Sequence, residues 1–154
     1  MASRRDQILA AITTALGVAS VNGFTKPSGL VVSRFRVRPT DSATAKSVSV
    51  YPMTESSQRV GQNRSPLTQH YLTVRCECRA VCGTNETADQ SLDPILAWVV
   101  QSLLADESLG GLASGITESA CAWDASEADE TYAVAWKDMT VTFAALANDP
   151  THRS

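Results

Sequence analysis

Histidine is nearly absent from this chain: only His70 and His152 occur, and neither stands in a motif with a nucleophile. No GxSxG, HExxH, Walker-type or GxGxxG pattern is present either. The usual sequence marks of triad hydrolysis, zinc proteolysis and nucleotide binding are therefore missing, and the chain reads as non-enzymatic and cofactor-free. Positive charge is not in excess. A net charge of -3 and a pI near 5.3 argue against wrapping a nucleic-acid backbone, which needs a clustered positive field. No apolar run approaches the roughly 18 residues that span a bilayer, so no membrane partner is expected.

Cysteine is sparse and poorly arranged for metal. Of the four, Cys76, Cys78 and Cys82 fall at even spacing in one alternating segment, and Cys121 lies far along the chain. CxC on an extended strand sets its sulfurs about 7 Å apart along that strand, a poor clamp for a tetrahedral ion. Reduced thiols packed in a core are the preferred reading. The acidic stretch Asp124, Glu127, Asp129 and Glu130 lacks the ordered oxygen ligands and central glycine of a calcium loop and reads as a solvated tip. No metal site is expected.

What is present is a globular composition, 44% hydrophobic and 19% charged over 154 residues, enough for a single domain spanning 1–154. Ser3-Arg4-Arg5 before ILAAITTALGVAS has the outline of a twin-arginine export signal. Asp6 and Gln7 stand where an apolar residue would follow the arginines, however, and Thr13 and Thr14 interrupt the apolar stretch. An amphipathic helix from Ser3 to Leu16, with Ile8, Leu9, Ile12 and Leu16 on one face, is the preferred reading. A connecting loop runs on to Gly29.

Val31–Arg38 alternates, with Val31, Phe35 and Val37 on one face and Val32, Arg34, Arg36 and Arg38 on the other. A short strand, Val48–Tyr51, is expected to stop at Pro52. Residues 53–66 are polar and aperiodic and read as an exposed mobile loop. Leu67–Cys82 is the longest strand; its outer face carries Tyr71, Thr73, Arg75, Glu77 and Arg79, a mixture of signs that suggests cross-strand or intersubunit pairing.

SLDPILAWVVQSLLADESLGG is a helix running into a Leu-Gly-Gly turn. Asn85, Thr87 or Ser91 is its candidate cap, and Pro94 fits the first turn if Ser91 or Asp93 caps it. Trp98 sits near the edge of the apolar stripe, either as peripheral core or as a partner contact. Strands follow at about Ile116–Trp123 and Thr131–Leu146, and the tail 147–154 is expected to fray. The fold class is α+β, order α-β-β-β-α-β-β, with helices packed against a mostly antiparallel or mixed sheet.

The Arg34, Arg36, Arg38 stripe has three open readings: a solvated face, intersubunit salt bridges to Glu127, Asp129 and Glu130 of a neighbour, or contact with passing DNA. Arg59 and Arg64, in the 53–66 loop, belong to the next candidate interface.

The succession RRDQILAAITTALG, LTVRCECRAVC, DPILAWVVQSLLADESLGGL and YAVAWKDMTVTFAAL resembles the tail terminator proteins of long-tailed bacteriophages, and the Asp106–Leu112 turn is the most family-like local feature. The resemblance implies a structural virion protein: a hexameric ring, assembled in the host cytoplasm, that caps the tail tube and ends its polymerisation. Its partners would be the tail tube protein and a head-tail connector protein, with DNA passing through the lumen without sequence-specific binding. Another neck or minor tail subunit, and a monomeric non-viral binding module, are the alternatives.

Overall fold

The computed structural model describes residues 3–34, 46–59, 67–81, 87–123, 132–146 and 149–153. Helix α1 covers Arg4–Gly17. Strands β1 (Ser20–Val21), β2 (Phe24–Thr25), β3 (Leu30–Arg34), β4 (Lys46–Arg59) and β5 (Leu67–Val81) follow. Helix α2 (Ala88–Leu104) precedes β6 (Gly115–Trp123), β7 (Tyr132–Leu146) and β8 (Asp149–Arg153). The class is α+β.

The main sheet has the order β3-β4-β5-β7-β6, with β8 also on β7. β3 and β4 are parallel and the other pairs antiparallel, so the sheet is mixed. The two helices share one face, α1 against β3 and β4 and α2 against β5, β6 and β7. Ile8, Leu9, Ile12 and Leu16 of α1 and Leu92, Ile95, Val99 and Leu103 of α2 meet Val48, Val50, Leu72, Val74, Met139 and Val141 of the sheet in one core.

Each helix start has a local cause. Ser3 caps α1, its Oγ accepting from the Asp6 amide at 3.1 Å. Thr87 is the cap of α2, and its amide donates to Gln90 Oε1 at 3.0 Å. With the cap at Thr87, Pro94 falls inside the helix rather than in its first turn. Pro94 and Gln90, whose carbonyl loses its usual partner, are both exposed, so water can replace the missing bond.

Several sequence expectations change. The connecting loop contains the β1–β2 hairpin, turned by Asn22 and Gly23 at positive φ. Pro52 does not stop β4, which runs on to Arg59 through much of the expected loop. The register shifts between Pro52 and Thr54, so the proline sits at a bulge, where a missing N–H is tolerated. The tail forms β8, with Ala145 opposite Arg153 and Leu146 opposite Asp149. On β3 the faces are inverted. Leu30 is buried and Val32 packs against the core, whereas Val31 is 39% exposed, so Arg34 lies on the helix side.

Trp98 belongs to the core. It is 2% exposed, and its Nε1 donates to the Leu16 carbonyl at 2.9 Å. That carbonyl is in the last turn of α1, where no intrahelical donor remains, so the indole closes the end of one helix from the side of the other. Trp98→Phe keeps most of the buried area and leaves the carbonyl without this donor. Urea unfolding of the variant is expected to show a loss of about 1–3 kcal/mol.

Candidate assembly surface

The sheet face away from the helices carries an array of paired side chains. Three cross-strand rows build it: Ser47–Arg79–Val134, Ser49–Glu77–Trp136 and Tyr51–Arg75–Asp138 across β4, β5 and β7. Arg75 donates to both carboxylate oxygens of Asp138, Nε at 2.8 Å and Nη2 at 3.0 Å, and its guanidinium lies 5.8 Å from the Trp136 ring centroid. Trp136 Nε1 donates to Glu77 Oε1 at 3.1 Å, and Arg79 Nε donates to Glu77 Oε2 at 3.4 Å. Ser47, Ser49 and Val134 beside them are buried. Small serines on β4 leave the long side chains of β5 room to lie along the sheet. The mixed charges of β5 are thus answered within the subunit, Arg75 across strands by Asp138 and Arg79 along its own strand by Glu77. The Tyr51 phenol is pushed up, first by burial and then by the Glu77 charge.

A second set of ion pairs ties α1 to the sheet. Arg5 donates to both oxygens of Glu55, at 3.0 and 2.7 Å. The bulge at Pro52 makes this possible, because it shifts the parity of β4 and places Glu55 opposite Leu72, on the helix side. Arg34 Nη1 meets Asp6 Oδ1 at 3.0 Å with both side chains about half exposed. His70 stacks on Phe143 with centroids 4.9 Å apart, and its Nδ1 is 3.7 Å from Glu55 Oε2.

Of the residues singled out from sequence, Arg34 is thus engaged with α1 of its own subunit, and Arg59 is exposed at the end of β4 opposite Thr68. Arg36, Arg38, Arg64, Glu127, Asp129 and Glu130 lie outside the described residues. Sequence reasoning missed Lys137. Its register position opposite Cys76 puts it on the helix side of β7, yet its Nζ reaches Glu118 of β6 at 2.6 Å. The lysine stem covers apolar surface while its charge escapes toward an edge strand. The signal was available, since Lys137 shares parity with Ala135 and Met139.

Two concavities accompany these features. One, of about 420 Å³, lies at the start of α2 between Asp89, Asp93, Pro94 and the half-exposed Trp123 of β6. The other, of about 300 Å³, lies between α1 and the end of α2, lined by Ala11, Thr14, Ala15, Ser102, Asp106 and Leu109. The turn that shapes it is held by Asp106, whose carboxylate accepts from the Ser108 amide at 3.1 Å, the Ser108 hydroxyl at 2.6 Å and the Gly110 amide at 2.9 Å. Those bonds hold the Asp106 carboxyl below its usual range, the Ser108 side chain contributing most. Leu109, Gly110 and Gly111 all take positive φ, and Leu109 still buries its side chain in the core. Gly110 therefore supplies a left-handed position that a Cβ would strain.

Among the described residues no His, Cys, Asp and Glu group is arranged to hold a metal ion, and no helix is long and apolar enough to cross a membrane. Cys76 and Cys78 are free, fully buried thiols. Burial pushes Cys76 up to about 12 and Cys78 well above its ordinary value. Both stay protonated at neutral pH and make poor nucleophiles. Cys82 lies outside the described residues, and Cys121 is half-buried against the core. Alkylation followed by peptide mapping is expected to leave Cys76 and Cys78 unmodified in native protein and to modify both in denaturant. Labelling of either in the native state would refute the packed-thiol assignment.

The Arg5 hydrogen bond holds Glu55 below its ordinary value of 4.5, against a smaller opposing effect of burial. A carboxylate depressed by folding adds stability that is complete above its unfolded pKa and is lost as pH falls through the folded one. Thermal melts of Glu55→Gln are therefore expected to show a flatter acid limb than the parent below pH 4.5, with the two chains differing most near neutrality. Equal pH dependence would show that the pair contributes nothing.

No protein-family model and no curated protein matches the chain.

Proposed function

We propose that the protein is a structural subunit of a long-tailed phage virion, a tail-terminator-like single domain that forms a ring at the end of the tail tube. The observation that carries this reading is the paired array on the helix-free face of the sheet. Tyr51, Arg75 and Trp136 are residue types enriched in protein interfaces, and here they stand together on one sheet face. Arg75 is already fixed by two bonds to Asp138 and lies near an indole. A side chain held in place before contact loses little rotamer freedom on docking, which favours association.

The order of the principal elements supports the same reading. A first helix, a set of strands, a second helix closed by the Asp106–Leu112 turn and a final pair of long strands follow the sequence pattern on which the resemblance rests. In the ring, one annular face would match the last ring of the tail tube protein and the other a head-tail connector, with DNA passing through the lumen. The activity is interface complementarity: occupying the tube end stops further addition.

The test is assembly. Mass photometry of purified protein is expected to show a closed oligomer, hexameric on the strength of the resemblance, either alone or with tail tubes. Negative-stain images of tubes incubated with it should show one end decorated and no further elongation. Persistent monomers that never mark a tube end would eliminate the reading, and binding along the tube wall would indicate a different tail position.

A further inference from the structure

We propose that the groove between α1 and α2 receives the β1–β2 hairpin of a second copy of this chain, with Phe24 entering the cavity. The inference rests on the ring reading and names one contact within it.

The groove carries a chemical requirement. Ser102 is 5% exposed and lines the cavity, and its Oγ has no hydrogen-bond partner among the described residues. Leaving a buried hydroxyl unbonded is unfavourable, and rotation about χ1 toward the cavity would let an incoming backbone group satisfy it. The other hydroxyl at the groove, Thr14 Oγ1, already donates to the Ala10 carbonyl at 3.0 Å. The remaining lining is mostly apolar, from Ala11, Ala15 and Leu109, with the Asp106 carboxylate at its mouth. The site therefore suits an apolar side chain on a segment that offers a free backbone group and a nearby positive charge.

The β1–β2 hairpin offers all three. It is a sheet of only two strands, so each strand has one edge whose backbone groups are not used by the other. Phe24 is 49% exposed, the largest exposure among the bulky apolar side chains of α1 and the hairpin. Lys26 follows two residues later, and side chains two apart on an extended segment project to the same side. With Phe24 in the groove, Lys26 faces the acidic pair Asp106 and Glu107. Its present contact, to the Gly17 carbonyl at 3.4 Å, is long and readily exchanged.

Hairpin and groove are different patches of one chain, so two copies can exchange hairpins reciprocally in a two-fold pair, or pass them head to tail until rotation closes a ring. The ring reading selects the head-to-tail arrangement.

The test uses Phe24→Glu, which spoils the hairpin, and Thr14→Trp, which fills the groove from an exposed position. Each should melt like the parent by circular dichroism and remain monomeric by mass photometry. Mixed together they should form a 1:1 dimer and nothing larger, since one intact hairpin and one intact groove remain between them. Ser102→Ala should melt no lower than the parent, because its hydroxyl has no partner among the described residues, yet self-associate about three- to tenfold more weakly. If both blocked variants assemble like the parent, this contact is wrong while the ring reading stands. If Thr14→Trp alone abolishes assembly or tube capping, another partner fills the groove and the second-copy assignment is overturned. A parent chain that stays monomeric and never caps tubes removes the ring reading and this contact together.

Discussion

Everything in the main sheet is referred to β5. Its fifteen residues pair with β7 over their whole length and with β4 over nearly all of it, so no other strand is held on both sides for so long. A strand bonded on both edges cannot slip by one residue without sending its core set to the opposite face. Leu72, Val74, Cys76, Cys78 and Ala80 are all buried, and their exposure falls and rises in strict alternation with Tyr71, Thr73, Arg75, Glu77 and Arg79. That one register fixes which face of β4 and β7 the helices cover. It also explains the thiols. At the crowded centre of the helix-covered face, cysteine supplies a small apolar side chain next to Ala80, Ala133 and Ala135.

The two faces solve different problems. On the helix side, burial of apolar area does most of the stabilising, and the ion pairs Arg5–Glu55 and Asp6–Arg34 orient α1 at its first turn. Exposed pairs of this kind contribute about 0.2–1 kcal/mol each, so they select an orientation more than they hold the helix down. Trp98 does what those pairs cannot. It fixes the far end of α1 by a buried hydrogen bond to Leu16. Neither described helix covers the other face, where the sheet instead carries long side chains beside buried serines and bonded to one another. Arg75 is answered by Asp138 and Arg79 by Glu77, so their charges are matched before any partner arrives.

Where side-chain periodicity was unbroken, the fold was legible from sequence. Both helices, the β5 faces and the division of β7 into Ala133, Ala135, Met139, Val141 and Phe143 against Val134, Trp136 and Asp138 follow from period alone. The misreadings have separate physical causes. On β3, Val31 and Val32 are equally apolar, so only the burial of Leu30 decides which face turns inward. At Pro52 a proline reads as a stop, but the register shifts there, and at a bulge losing an N–H does not end the strand. The bulge that follows brings Glu55 to the helices, a consequence of an extra residue that alternation cannot anticipate. The cavity beside Ser102 depends on the meeting of α1 with the turn after α2, two segments far apart in the chain. No local pattern contains it.

The two surfaces most suited to partners lie on opposite sides of the molecule. The array of Tyr51, Arg75 and Trp136 is on the sheet face away from the described helices, and the groove of Ser102 is within the helix layer on the other. Under the proposed function this separation has a consequence. A ring subunit must hold its neighbours while leaving other surface free for what lies above and below, and one patch cannot serve both. If the groove and hairpin join neighbouring copies, the face that carries the array is left for a different contact, and disturbing one leaves the other chemically intact. The rigidity of the array then matters. Arg75 with Asp138 and Arg79 with Glu77 are paired within the subunit, so the geometry of the array is set before docking. Specificity then comes from shape and from the few hydrogen-bonding atoms the array has not already used.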